Sequence, residues 1–181
     1  MDGAFGGRFG GRAGGRLGGP GRGSSGERGG GPRRYRDVRA SQVAASPEVV
    51  WAAVLLQVEV LGPDRYVRLM GCRDRGRGGP RPLAAGSLVP GFRVDGAMPP
   101  QVLVLDGAHR FSAYRLTFRL LPGADGGTRL EAHTDAVFPG VLGTVYRLLV
   151  FDSRLHKLAT WSIVRRVRRR ADRMARRGLP A

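Results

Sequence analysis

Residues 109–121 read HRFSAYRLTFRLL and residues 129–138 read RLEAHTDAVF, two stretches in which apolar and polar side chains alternate. Successive side chains of a β-strand point to opposite faces of the sheet, so the alternation predicts two strands with one covered and one wet face. The covered face is expected to carry Tyr114, Leu116, Phe118, Leu120, Leu130, Ala132, Thr134, Ala136 and Phe138. The wet face is expected to carry Arg115, Thr117, Arg119, Arg129, Glu131, His133 and Asp135. Such one-sided burial is typical of an antiparallel sheet.

Turn-forming residues around these strands predict antiparallel neighbours. Residues 100–106, PQVLVLD, precede Gly107-Ala108, and a two-residue link that begins with Gly is typical of a tight hairpin. Residues 122–128, PGADGGT, predict the next turn. Residues 87–94, SLVPGFRV, predict a short strand that Pro90-Gly91 interrupts at a bulge or an edge.

The residues before this sheet predict a strand followed by a helix. Residues 35–46, YRDVRASQVAAS, fit the first strand, and Ser46 and Pro47 fit the N-cap and first position of an apolar helix. Residues 65–73, RYVRLMGCR, fit either a short second helix or an edge strand, and the Gly and Pro content of residues 73–87 predicts a loop.

The C-terminal segment has helical spacing. Its apolar stripe, which recurs at about 100° per residue, consists of Val145, Leu149, His156, Ala159, Ile163, Val167, Ala171 and Met174. The remaining arc carries Arg165, Arg166, Arg168, Arg169, Arg170, Arg173, Arg176 and Arg177. Asp152-Ser153 either divides the segment into two helices or kinks one long helix. The stripe predicts that this helical segment covers the sheet.

The formal net charge of +17 is concentrated at the two ends of the 181-residue chain. Residues 1–39 carry +6 and residues 154–181 carry +9, whereas residues 40–153 carry only +2. Lys157 is the one Lys among 31 basic residues, which is the residue usage of a GC-rich coding sequence. The Arg content is therefore weak evidence for nucleic-acid binding.

Residues 1–33 consist mainly of Gly and Arg, with too few apolar side chains to offset the entropy of ordering. This composition predicts a disordered tail before a single folded domain at residues 34–177. We interpret the tail as a solubilising leader or as the product of a start codon assigned too far upstream. Contact with nucleic acid through its Arg and Phe residues is the alternative.

Cysteine usage and hydropathy narrow the class of protein. Cys72 is the single cysteine, which excludes an internal disulfide and a thiolate cluster. The single cysteine fits a reducing, cytoplasmic location. The longest apolar run, residues 49–56, is far shorter than the ~20 residues of a membrane span. The sequence shows no phosphate-binding loop, nucleophile and base set, or metal-ligand spacing. We therefore assign no cofactor, metal or catalytic residue.

Four stretches resemble a known superfamily: residues 45–54 (ASPEVVWAAV), 85–94 (AGSLVPGFRV), 107–120 (GAHRFSAYRLTFRL) and 126–140 (GGTRLEAHTDAVFPG). With the closing amphipathic helix they resemble the START and polyketide-cyclase-like superfamily, also called SRPBCC, over residues 35–175. The resemblance implies an α+β helix-grip fold, a curved antiparallel sheet around a long C-terminal helix. It also implies an apolar cavity, which in relatives holds lipids, sterols, polyketides or other hydrophobic molecules. The short section before Ser87 leaves a reduced cavity as an alternative.

Strand parity and the helix stripe select the residues expected to line that cavity, which are Arg110, Ser112, Tyr114, Leu116, Phe118, Thr134 and His156. Asp152 lies one turn before His156, and a buried His beside a carboxylate can act as a general base. Tyr114 or Arg110 could polarise a carbonyl. The competing interpretation pairs Arg110 with Asp106 at the rim, places Tyr114 in the core and makes Asp152 a helix cap.

The sequence favours a carrier or sensor of a hydrophobic small molecule over an enzyme. Two other classes stay open. One is a polyanion-binding protein that contacts nucleic acid or an anionic membrane through the tail and the C-terminal helix. The other is a cyclase/aromatase-like enzyme.

A turn at Gly107-Ala108 would also create a small apolar patch. It would place His109 on the wet face opposite Asp106, and Val104 on the same face opposite Phe111. Exposed apolar patches often mark contact surfaces. We therefore hypothesise a weak homodimer through Val104 and Phe111, with the folding back of residues 65–72 as the alternative.

Overall fold

Within the residues that the computed structural model describes, which are 33–62, 64–140 and 155–178, three α-helices accompany one six-stranded antiparallel sheet. The strands are β1 (Arg33–Val43), β2 (Leu88–Val89), β3 (Phe92–Met98), β4 (Val102–His109), β5 (Ser112–Pro122) and β6 (Thr128–Phe138). The helices are α1 (Pro47–Val58), α2 (Asp64–Met70) and α3 (Leu155–Arg176). The strand order is β1-β6-β5-β4-β3-β2. The predicted α+β helix-grip architecture is confirmed.

The main core lies between the inner face of the sheet and two helices. The predicted covered residues of β5 and β6, from Leu116 to Phe138, are buried, and α1 and α3 pack against each other beside them. The main core includes Val50, Val54, Val58, Leu103, Leu105, Phe118, Leu130, Ala132, Val164, Val167 and Ala171. The alternation in β5 and β6 therefore predicted the covered face correctly.

Helix α1 begins where its sequence predicts. Ser46 has the extended backbone of an N-cap, and Pro47 occupies the first helical turn, where its missing N–H costs no hydrogen bond. The Ser46 side chain makes no capping hydrogen bond. The entry to α1 is instead held by Thr128, whose buried hydroxyl donates to the Ala45 carbonyl at 2.7 Å.

The hairpin between β4 and β5 turns three residues later than predicted. β4 continues through Gly107 and Ala108 to His109, which pairs with Ser112, and the turn is Arg110-Phe111. Gly107 lies opposite Tyr114, and a Cβ at Gly107 would collide with the Tyr114 ring and the Gly91 carbonyl. The glycine therefore permits a close approach within the strand, and the prediction that it forms the turn is wrong.

This register moves three residues from their predicted places. His109 lies opposite Ser112 on the inner face, so its predicted outward position is wrong. Phe111 lies in the turn and Val104 pairs with Thr117, so the predicted pairing of Val104 with Phe111 is also wrong. The weak homodimer thereby loses the patch from which it was inferred and stays a prediction.

Two ambiguous segments of the sequence take definite forms. The segment after Gly62 is helical, as α2. Pro90-Gly91 is a turn between two paired strands, β2 and β3, and not a bulge within one strand. Gly91 has φ of 87°, a left-handed conformation that glycine adopts without the cost of a Cβ clash. β2 is an edge strand of the sheet, in agreement with the sequence.

Helix α3 covers the inner face with a stripe slightly different from the predicted one. Thr160, Val164, Val167 and Ala171 are buried, and Ile163 and Met174 are half-buried. The prediction for Ala159 is wrong, because this residue is exposed. Thr160 is buried instead, one turn before the buried Val164.

Ion pairs cover the outer face of the sheet, as its wet character predicts. Arg115 donates to both carboxylate oxygens of Asp106, at 2.6 and 2.7 Å, and to Asp95 at 3.1 Å. The hydrogen bonds that Arg115 donates to Asp106 are the main cause that raises the pKa of Arg115. Arg36 donates to Asp135 at 2.7 Å. These contacts place Arg36, Asp106, Arg115 and Asp135 on the side away from the helices.

Several predictions concern residues outside the described ones. One concerns the disordered tail, apart from Arg33, which begins β1. The others concern the positions of Val145, Leu149 and Asp152-Ser153, and the side chain of His156. In the described part of the chain no helix is long and apolar enough to cross a membrane.

Candidate functional site

A second apolar cluster lies on the inner face, separate from the main core. It consists of Ala136 and Phe138, which are buried, with Tyr35 and Tyr114 packed against them. We call this group the tyrosine cluster. Ala136 on β6 is the Cα partner of Tyr35 on β1 and of Tyr114 on β5. The cluster therefore forms a row across three adjacent strands, with the small alanine between two tyrosines.

A charged pair borders the tyrosine cluster on β1. Arg39 donates to Asp37 through Nε at 2.8 Å and through Nη2 at 3.1 Å. The side chains are only 32% and 14% exposed, and they lie on the inner face because Asp37 pairs with the buried Thr134. Charged groups on a covered face are uncommon and are usually paired, as here. The row of Asp37 and Thr134 separates the tyrosine cluster from the main core.

Asp37 and Arg39 were not predicted as site residues from the sequence. The odd-numbered residues of β1, from Tyr35 to Ser41, face inward and are mostly polar, whereas the apolar Val38 faces outward and is 46% exposed. An apolar and polar alternation therefore does not mark the inner face of this strand. The usable signal was the pairing with β6, whose inner face was predicted correctly.

Tyr114 is held by the protein in a defined orientation. Its hydroxyl donates to the Gly91 carbonyl at 2.8 Å and lies 3.8 Å from the Cys72 sulfur. Its ring meets the Phe92 ring edge to face, with centroids 5.1 Å apart. These contacts fasten the β2–β3 turn and the end of α2 to the sheet. The Tyr114 hydroxyl is engaged by a backbone carbonyl, and this contact competes with the predicted polarisation of a ligand.

His109 lies beside Tyr114 at the same end of the inner face. The two ring centroids are 5.4 Å apart, and the Phe111 N–H donates to His109 Nδ1 at 3.2 Å. Burial lowers the pKa of His109. Both effects favour the neutral ring, and a neutral ring that accepts at Nδ1 carries its proton on Nε2.

The structure brings together only part of the predicted cavity set. Tyr114 and Thr134 lie at the tyrosine cluster or beside it, and Ser112 is buried opposite His109. Leu116 and Phe118 belong to the main core.

Arg110 is the clearest departure from the prediction. It is exposed in the β4–β5 turn, with its guanidinium 5.6 Å from the Phe111 ring centroid. Its predicted inward strand position is wrong because the turn lies three residues later. The suggested pair with Asp106 is wrong as well, since Asp106 accepts from Arg115.

Two surface clefts lie away from the tyrosine cluster. One, of about 340 Å³, is lined by Pro47, Pro100, Gln101, Val102, Arg119, Leu120, Leu121 and Pro122. The other, of about 400 Å³, lies where the turn before β6 meets the start of α1, and Arg168 borders it. Among residues 33–62, 64–140 and 155–178, no group of three His, Cys, Asp or Glu side chains could hold a metal ion. The tyrosine cluster therefore stays the candidate site.

Comparisons with known proteins show the fold alone. No family model and no curated protein matches the chain. The Zhui aromatase/cyclase from a Streptomyces species matches with a TM-score of 0.54 and 15% identity, over 82% of this chain and 100% of that one. Norcoclaurine synthase from Thalictrum flavum matches with a TM-score of 0.50 and 12% identity, over 74% and 92%. A Staphylococcus aureus protein of unknown function matches with a TM-score of 0.52 and 10% identity, over 80% and 98%. The predicted resemblance is confirmed at the level of the helix-grip fold.

Proposed function

We propose that the protein binds a ring-containing apolar small molecule at the tyrosine cluster, and that it acts as a carrier or sensor. The observation that carries this proposal is the division of the inner face. One part is filled by α1 and α3, while the other groups two tyrosines around Ala136 beside a charged pair. A sheet built only for stability would be expected to continue the aliphatic packing of the main core.

The shape of the tyrosine cluster suits a flat ring. Neighbouring strands are about 4.8 Å apart, so the backbones of Tyr35 and Tyr114, which flank β6, are about 10 Å apart. The Tyr114 ring leans across Gly107 on β4, and the Tyr114 side chain also packs against the cluster of Ala136 and Phe138. Within the described residues, Ala136 is the β6 partner of both tyrosines, and its side chain is a single methyl group. Aromatic side chains favour edge-to-face or offset contacts with a ring at this spacing.

The polar neighbours indicate that the ligand carries a hydroxyl or carbonyl group. Asp37 has lone pairs beyond the two that Arg39 engages, and the Thr134 hydroxyl can both donate and accept. A purely apolar ligand would cover these groups without hydrogen bonds, at a cost of about 1–3 kcal/mol for each. The site therefore favours an amphiphilic molecule over a hydrocarbon.

The fold gives independent support to ligand binding. The helix-grip neighbours include norcoclaurine synthase and an aromatase/cyclase, and the name of the latter indicates ring-containing small molecules. Catalysis is not needed to explain the site. The Tyr114 hydroxyl contacts Gly91, and His109 accepts from the backbone, so neither group is preorganised toward a substrate.

A pair of matched substitutions tests the site. Ala136→Leu adds bulk between the tyrosines at the proposed site, and Ala113→Leu makes the same change on the outer face of the adjacent strand, where Ala113 is exposed. We expect Ala136→Leu to weaken binding of a fluorescent naphthalene sulfonate probe at least tenfold, and Ala113→Leu to change it less than twofold. Equal affinities in folded variants would place the site elsewhere. Circular dichroism verifies the fold of each variant.

A further inference from the structure

Helix α3 presents an outer face that the packing against α1 and β1 leaves exposed. Its buried side carries Thr160, Val164, Val167 and Ala171. Between residues 158 and 178, eight arginines oppose a single acid, Asp172. Seven of the eight are exposed and Arg170 is half-buried. We call the exposed arginines between residues 165 and 177 the arginine face. Its net charge far exceeds that of residues 40–153, which is only +2.

Two apolar side chains share the outer side of α3 with the arginine face. Leu158 is 58% exposed and Trp161 is 49% exposed. Residues three or four apart lie on one side of a helix, so Leu158, Trp161 and Arg165 are neighbours. The Arg165 guanidinium lies 4.8 Å from the Trp161 ring centroid, which confirms the contact. The same side thus begins with apolar groups and continues with cations.

We propose that the outer side of α3 docks the protein on an anionic lipid bilayer. The arginine face would contact headgroup phosphates, and Leu158 and Trp161 would enter the boundary between headgroups and acyl chains. Tryptophan favours that boundary, and basic side chains are attracted to anionic lipid. The outer side from Leu158 to Arg176 spans about 27 Å of helix, so its charges are spread along the outward-facing half of α3 and can face a flat surface.

The apolar pair favours a bilayer over nucleic acid. Leu158 cannot stack on a base, and the Arg165 guanidinium covers one side of the Trp161 ring. Stacking on exposed aromatic rings is the usual way in which proteins hold single-stranded nucleic acid. A bilayer would contact Leu158 and Trp161 as well as the arginine face, so it accounts for both the apolar and the cationic side chains of the outer side. The proposal is independent of the ligand site, although a bilayer is also a source of amphiphilic ligands.

Vesicle sedimentation with two triple variants of the full chain tests the proposal. The first variant removes three charges from the arginine face, by Arg165→Gln, Arg169→Gln and Arg173→Gln. The control removes three exposed charges elsewhere, by Arg73→Gln, Arg77→Gln and Arg119→Gln. On vesicles of phosphatidylcholine and phosphatidylglycerol at 3:1, the first variant should bind on the order of a hundredfold more weakly than the parent. The control should bind within about fivefold of the parent.

The same vesicles give a readout of Trp161 itself. Its emission should shift to the blue and gain intensity on anionic vesicles, and this change should vanish in Trp161→Phe, although Trp51 remains. Because Trp161 and the three arginines are exposed, the variants should keep the thermal midpoint of the parent.

Three results would overturn the proposal. One is equal losses of vesicle binding in both triple variants, and another is parental binding that is equal on pure phosphatidylcholine. The third is a result in which the triple variant of the arginine face loses binding to a single-stranded oligonucleotide but keeps its binding to vesicles. That result would assign the surface to nucleic acid. Ala136→Leu should bind vesicles like the parent. Failure of the ligand site and failure of the membrane surface are therefore seen separately.

Discussion

Ala132 and Ala136 lie four residues apart on the same face of β6, yet they belong to different environments. Ala132 pairs with Arg39 and Phe118 and is part of the main core under α1 and α3. Ala136 pairs with two tyrosines in the tyrosine cluster. The inner face of β6 therefore contributes to the stability of the main core at one end and, in our proposal, to ligand binding at the other. Burial alone therefore does not assign a role to an inner-face residue.

The largest effect is expected in the main core. Phe118→Ala should lower the free energy of unfolding by about 3–5 kcal/mol, because Phe118 is fully buried among aliphatic side chains. Chemical denaturation measures this loss. A cost below about 2 kcal/mol would mean that Phe118 borders a space and that the main core extends less far than we describe.

A smaller effect is expected where the tyrosine cluster meets the main core. Asp37→Ala should cost about 1–3 kcal/mol, because it leaves the half-buried Arg39 guanidinium without its carboxylate. The matched change on the outer face, Asp135→Ala, removes the exposed pair with Arg36 and should cost less than about 1 kcal/mol. Asp37→Ala should also weaken binding of an amphiphilic probe, and Asp135→Ala should not. Equal costs would contradict the inner-face position of the Asp37 pair.

The burial of His109 beside the tyrosine cluster predicts that the free energy of unfolding depends on pH. Burial lowers its pKa in the folded state below the value of 6.5 expected in the unfolded chain. The unfolded state then binds more protons in that range, so the stability contribution falls as the pH drops through 6.5 toward the folded pKa. His109→Asn should flatten this part of the stability curve, measured by denaturation at pH 5 to 8. An unchanged curve in His109→Asn would indicate a solvated His109.

The smallest effect is expected at the N-terminus. We predict that residues 1–32 contribute little buried apolar area, so their deletion should leave the thermal midpoint within about two degrees. Differential scanning calorimetry on the full and shortened chains measures this. A larger fall would mean that the segment packs on the domain.

The sequence predicted the parts of the fold that one-sided burial determines. The alternation in β5 and β6 identified the covered face, and Ser46 and Pro47 marked the start of α1. The β4–β5 turn was missed because Gly107 is needed for the close approach of the Tyr114 ring, which the sequence cannot distinguish from a turn glycine. Leu116 and Phe118 still lie on the inner face, as predicted. Moving the two-residue turn by three positions shifts the β5 partner of each β4 residue by an even number of positions, and an even shift leaves every residue on the same face.

The site was less predictable than the fold. Tyr114 and Thr134 were found by parity, whereas Asp37 and Arg39 were missed because charged residues on an edge strand normally face solvent. Arg110 was misplaced with the turn. Asp37 and Arg39 come close to Thr134 and Tyr114 only because β6 pairs with both β1 and β5. The pairing of β1 with β6 joins residues that are nearly 100 positions apart in the sequence.

The comparison of the two alanines offers the most direct test. Titration of protein labelled with ¹³C in alanine methyl groups, with the naphthalene sulfonate probe, reports both positions in one spectrum. We predict that the Ala136 methyl resonance shifts with probe concentration while that of Ala132 stays in place. A shift at Ala132 with none at Ala136 would contradict the assignment of the ligand site to the tyrosine cluster.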